Sequence, residues 1–166
     1  CRRPRRFSLK TLRGRTSVLT SSVGRYATTL VTIAHRQASA SGASNIQLVV
    51  AEAKSSGIEL DDAAVREIVK EFADVEFLED DWFCRSSGPL FRDRLRNITR
   101  KMLSVASPIH LTLLREGLRR SYRFRGFRGL GTWPLVVPPR SVLARLYSQH
   151  PEFSVDSEGF VGSQAP

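Results

Sequence analysis

The sequence has little of what enzymes and metal sites are usually made from. Two cysteines, Cys1 and Cys84, occur in 166 residues; two thiols cannot staple a disulfide scaffold and suit a reducing compartment. The three histidines, His35, His110 and His150, are scattered, with no metal-ligand spacing and no nucleophile or carboxylate signature beside them. Each reads as a surface or half-buried residue. The acidic trio Glu79, Asp80 and Asp81 lacks calcium-loop spacing and reads as a polar hairpin turn. There is no glycine-rich phosphate loop, dinucleotide fingerprint or nucleophile elbow. No run of about 18 apolar residues is present, which excludes a membrane-spanning helix. The absences together argue for a protein that is not an enzyme, with no cofactor, no metal and no membrane partner. The expected location is cytoplasmic, with the nucleoid if the source is bacterial.

What the sequence has in excess is positive charge. Twenty-six Lys and Arg against sixteen Asp and Glu give a net charge of +10, and 41% of residues are hydrophobic. That composition permits a buried core and points to an anionic partner. The charge is uneven. Residues 1–43 carry +9, residues 44–87 carry −7, residues 88–128 carry +9 and residues 129–166 carry −1. A polyanion would meet the first and third blocks. Residues 1–21, rich in Arg, Ser and Thr, read as a flexible basic tail, and their composition also suits an organelle transit peptide.

An internal repeat organises the rest. Residues 43–53 (ASNIQLVVAEA) align with residues 106–116 (ASPIHLTLLRE) at an offset of 63, with four identities. Residues 60–83 align with residues 138–161 at an offset of 78, pairing Ile68 with Leu146 and Trp82 with Phe160 among eight apolar pairs. The difference between these offsets implies a 15-residue insertion in the second copy. Apolar spacing predicts helices over 46–55 and 60–72, with Gly57 as a stop and Asp61 or Asp62 as N-cap, followed by a hairpin at about 75–84. In the second copy Pro138 and Pro139 open a helix striped by Val142, Leu143, Leu146 and Tyr147, and a hairpin follows at about 153–162. One more helix precedes each pair, at 25–38 and 91–106, with Leu30 and Ile33 matching Leu95 and Ile98 at an offset of 65. Trp82 is expected to anchor the first hairpin against Val65 and Ile68.

Three helices followed by a hairpin, twice over, is the order of a winged helix-turn-helix. The stretches ELDDAAVREIVKEFADVEFLEDDWF and VPPRSVLARLYSQHPEFSVDSEGFV, each with its preceding helix, resemble tandem winged helix-turn-helix modules. They are loosely similar to sigma-factor-like helix-turn-helix domains of bacterial transcription proteins. The resemblance covers about residues 25–162 and implies DNA binding and a role in transcription or its regulation. The expected fold is mainly α. A tail at 1–21 precedes a first, acidic unit at 22–87 and a second, basic unit at 88–166 with an insertion near 121–135.

In such modules the third helix usually enters the major groove. In the first unit that helix carries Asp61, Asp62, Glu67 and Glu71 and would be repelled by phosphate, so this unit reads as structural or as a contact for a protein partner. In the second unit it carries Arg140, Ser141 and Arg145, which can donate to phosphates or base edges. Two further basic sets lie in the same unit. Arg92, Arg96, Arg100 and Lys101 lie on its first helix, and Arg119, Arg120, Arg123, Arg125 and Arg128 alternate with Tyr122, Phe124 and Phe127. The leading expectation is a nucleic-acid-binding protein that holds double-stranded DNA through the second unit, with RNA as the other polyanion to test. The alternative is a protein-interaction module in which the winged helices act as subunit contacts.

Overall fold

The computed structural model describes residues 7–12, 15–86, 94–124 and 136–164. The chain opens with β1 (Phe7–Leu12) and β2 (Arg15–Thr20), an antiparallel pair that packs on the following helix. The stretch expected as a flexible tail therefore contains a hairpin. α1 (Ser21–Ser41) buries Ala27, Leu30, Ile33, Ala34 and Ala38, a stripe at helical spacing. It stops at Gly42, whose φ of 91° favours glycine and whose N–H bonds Ala38 O at 2.9 Å.

Next come β3 (Ser44–Asn45), α2 (Ile46–Ser55), α3 (Asp62–Phe72), β4 (Val75–Glu79) and β5 (Trp82–Arg85). Asn45 caps α2 by accepting Leu48 N–H at 2.9 Å, and Asp61 caps α3 by accepting Ala64 N–H at 2.6 Å. The second unit repeats this order with α4 (Arg94–Leu103), β6 (Ile109–His110), α5 (Leu111–Phe124), α6 (Arg140–Ser148), β7 (Phe153–Val155) and β8 (Phe160–Ser163). Each unit has a three-stranded antiparallel sheet, ordered β3-β5-β4 in the first and β6-β8-β7 in the second. The fold is mainly helical, as expected, with a third short strand in each sheet that the sequence reading lacked. Among the described residues no helix is long and apolar enough to cross a membrane.

The sheet registers date the repeat residue by residue. Ser44 pairs with Phe83 and Asn45 with Trp82, while Ile109 pairs with Val161 and His110 with Phe160. Ile46 N–H bonds Asp81 O, and Leu111 N–H bonds Gly159 O. The hairpins therefore correspond at an offset of 78, as expected, but the strands and second helices correspond at 65, not 63. The insertion is 13 residues, the difference between 78 and 65. At these offsets Val49 matches Leu114, Ala53 matches Leu118, Val65 matches Leu143, Ile68 matches Leu146 and Phe83 matches Val161, all buried.

The cores differ where polar groups are exchanged for apolar ones. In the first unit Gln37 donates to Glu52 at 2.7 Å, and buried Glu52 also pairs with Arg36. At the matching positions the second unit has Met102 lying against Gly117, where a Cβ would meet the Met102 side chain. Conversely, Ala34 and Val69 of the first core become Thr99 and Tyr147, whose buried hydroxyls lie 2.7 Å apart.

The two units share a core. The first cluster joins α1, α2 and α3 through Leu30, Ile46, Val65, Ile68 and Phe72, with Phe83 of the hairpin. The second cluster contains Leu95, Leu114, Leu118, Leu143 and Tyr147, and also Ala43, Leu78 and Cys84 of the first unit. Successive strand residues point to opposite faces of a sheet. Phe77 and Phe83 face the first core with ring centroids 5.8 Å apart, while Leu78, Trp82 and Cys84 join the second. Trp82 is thus half-buried and packs on the second unit's core, not on the first core that holds Val65 and Ile68. At the rim of this interface Gln149 Nε2 donates to Glu76 Oε1 at 2.5 Å, joining the end of α6 to β4.

Candidate nucleic-acid interface

The N-terminus of α6 is where the two units diverge most in charge. In the first unit the equivalent helix end is closed by Asp61, and Gln47 Nε2 donates to Asp62 Oδ2 at 2.7 Å. In the second unit Pro139 stands at the N-cap and makes no side-chain cap bond, so α6 lacks the carboxylate cap that Asp61 gives α3. The tie between the second and third helices is kept with its charge inverted: Arg140 Nη1 donates to Thr112 Oγ1 at 3.1 Å. Thr112 and Arg140 occupy the places of Gln47 and Asp62 at the offsets of 65 and 78.

Arg115 joins the same corner. It replaces the buried Val50 of the first unit, and its Nε donates to Pro138 O at 3.0 Å. Among the described residues Arg115 and Arg140 bond neutral oxygens, and both stand at the positive, N-terminal end of α6. Arg119 and Arg120 extend the row along exposed α5, three and four residues beyond Glu116, with which both pair at 3.2 Å. Leu113, on the same exposed side of α5, is 67% exposed. Ser141 and Arg145 lie on the exposed face of α6, opposite the buried Val142, Leu143, Leu146 and Tyr147.

The basic residues of α4 lie elsewhere. Arg96 pairs with Glu152 through two hydrogen bonds, and Arg100 Nε is 3.9 Å from the same carboxylate. Glu152 follows α6, so these guanidiniums gather at its C-terminal end, about 13 Å along the helix from Arg140. They form a fold clasp. In the first unit the matching residues are His35 and Asp74, where His35 Nε2 accepts Asp74 N–H at 2.8 Å. Lys101 is exposed on α4. Replacing Glu152 by Ala is expected to cost about 1–2 kcal/mol in urea unfolding, because it strands two half-buried guanidinium bonds. The clasp reading fails if that variant is as stable as wild type.

Sequence reasoning thus counted Arg96 and Arg100 among the contacts together with Arg140, whereas the fold engages them with Glu152 at the opposite end of α6. It missed Thr112 and Arg115. Their signal is the row that residues 112, 115, 116 and 119 make on one helix face. Arg123 is in the last turn of α5, and Arg92, Arg125 and Arg128 lie outside the described residues. Both hairpin turns are acidic, with Glu79, Asp80 and Asp81 in the first and Asp156 and Glu158 in the second. Asp156 Oδ1 is engaged in holding Glu158 N–H and Phe160 N–H. Neither turn suits a phosphate. Comparison with protein-family models, curated proteins and solved structures returns no match.

Proposed function

We infer that the chain is a non-enzymatic nucleic-acid-binding protein whose two units are winged helix-turn-helix modules, and that the second holds double-stranded DNA in transcription or its regulation. The observation that carries this reading is the corner at the N-terminus of α6. One unit caps that corner with a carboxylate, and the other replaces the cap by Pro139 and flanks the helix end with Arg115 and Arg140. Element order supports the module type, since each sheet takes its first strand from between the first and second helices. In the bound state Arg140 and Arg119 would touch phosphates, while Ser141 faces base edges. A gel shift on random duplex DNA, single-stranded DNA and RNA at two salt concentrations tests it. Duplex binding that weakens with salt is the expected result, and no retardation of any nucleic acid at low salt would overturn it.

A second reading, that the modules act as protein contacts, is favoured by the first hairpin. Its outer face already serves as a protein interface, with Leu78 and Cys84 buried in the neighbouring unit's core. Retention of a basic protein partner on the acidic first unit, with no nucleic acid bound, would favour that reading.

A further inference from the structure

We propose that Glu76, on the first unit's hairpin, is an electrostatic boundary that keeps bound nucleic acid off the C-terminal half of α6 and confines it to the α6 N-terminus. The proposal rests on the nucleic-acid reading above. A free-standing third helix would offer a groove its whole exposed length. Here the strand β4 from the other unit lies against α6, and Glu76 Oε1 accepts Gln149 Nε2 just past the helix end. The partner is a neutral amide, so the bond fixes the carboxylate in place without neutralising it. Glu152, at the same end, is by contrast outweighed by two guanidiniums, Arg96 and Arg100. The position of Glu76 is set by the backbone, because its strand neighbour Leu78 and its cross-strand partner Cys84 are buried in the second core.

Distance decides which cations feel this charge. Arg145 is four residues before Gln149, about 6 Å along the helix, and Arg140 is nine, about 13 Å. Charges at a surface are screened over about 10 Å at ordinary salt. Arg145 therefore sits within the field of Glu76, and Arg140 with the Thr112, Arg115 and Arg119 corner lies mostly beyond it. Helix polarity acts in the same sense, since the N-terminal end of α6 is positive and its C-terminal end negative. The first unit on this account is no second reader of DNA. It shapes the footprint of the second.

The test uses the full chain and a fluorescently labelled random-sequence duplex, with anisotropy measured over a salt series. Glu76→Lys should bind about 3- to 10-fold tighter and steepen the slope of log K against log salt by about one, the value of one added phosphate contact. Glu76→Gln, which keeps an acceptor for Gln149, should shift affinity in the same direction by less, and it guards against a folding defect in the lysine variant. Glu67→Lys makes the same charge change on the exposed face of α3 and should leave affinity within about twofold. Equal effects of Glu76→Lys and Glu67→Lys, or no effect of either Glu76 variant, overturn the boundary. If removing Arg119, Arg120 and Arg140 abolishes binding while Glu76 is indifferent, only the boundary falls. If the arginines are indifferent too, the nucleic-acid reading falls with it.

Discussion

Leu78→Ala should lower the unfolding free energy of the whole chain by about 3–4 kcal/mol, in the middle of the range for a fully buried leucine. Leu78 belongs to the first unit's hairpin, yet it is 0% exposed and surrounded by the second unit's core. Truncation there leaves a cavity between units, where neither can collapse without shifting the other. Urea unfolding of the wild type, followed by far-ultraviolet circular dichroism and by tryptophan fluorescence, should give one coincident transition. Of the two tryptophans, Trp82 reports the interface itself, because it packs on the same cluster. Leu78→Ala should move both probes together to lower urea. Ile68→Ala, in the first core, should cost a similar amount and also move both probes, since unfolding either unit uncovers the other's apolar face. Two separated transitions in the wild type, or a loss below about 1 kcal/mol for Leu78→Ala, would mean that the units do not share a core.

That shared core explains what the sequence could and could not convey. The third helices and hairpins were legible because two periodicities coincide there: 3.6 along Val65, Ile68, Val69 and Phe72, and 2 along the strands. Their counterparts recur at 78, and the paired strands bear this out. The strands β3 and β6 were not legible, because two residues carry no alternation. The offset of 63 rested on four identities among common small and aliphatic residues, whereas the hydrogen bonds of Ile46 and Leu111 fix 65. The pairs Leu30/Leu95 and Ile33/Ile98 already carried that offset. Trp82 faces away from the expected Val65 and Ile68 because the first hairpin is covered on both sides. A hairpin with Phe77 and Phe83 on one face and Leu78, Trp82 and Cys84 on the other is apolar on both faces, the pattern of a sheet covered twice. Charge counting located the basic block but not its partners. Glu152 lies 56 residues beyond Arg96, and only the fold brings them together.

Replacing Arg119, Arg120 and Arg140 together by Ala should weaken duplex DNA binding by about two to three decades at 0.1 M salt, and flatten the slope of log K against log salt by about 2–3. Each phosphate contact contributes about 0.9 to that slope through released counterions. Three contacts give about 2.7, and over the one decade between 1 M and 0.1 M salt that becomes about 500-fold in K. Two features of the site push in the same direction. Among the described residues Arg140 bonds the neutral Thr112 hydroxyl and no carboxylate, so its charge is available to phosphate. Glu116 pairs with both Arg119 and Arg120, so losing them also bares a carboxylate beside the bound polyanion. Stability should hardly change, because exposed pairs three and four residues apart contribute only about 0.3–0.5 kcal/mol each. That separation of binding from stability is the diagnostic. The acids of the first unit provide the opposite sign: Asp62 and Glu67 changed to Ala should leave DNA affinity equal or slightly tighter. If the arginine variant keeps wild-type affinity and salt slope, the corner at α6 holds no phosphate. The divergence of the two units would then have to be read through the protein contacts of the first.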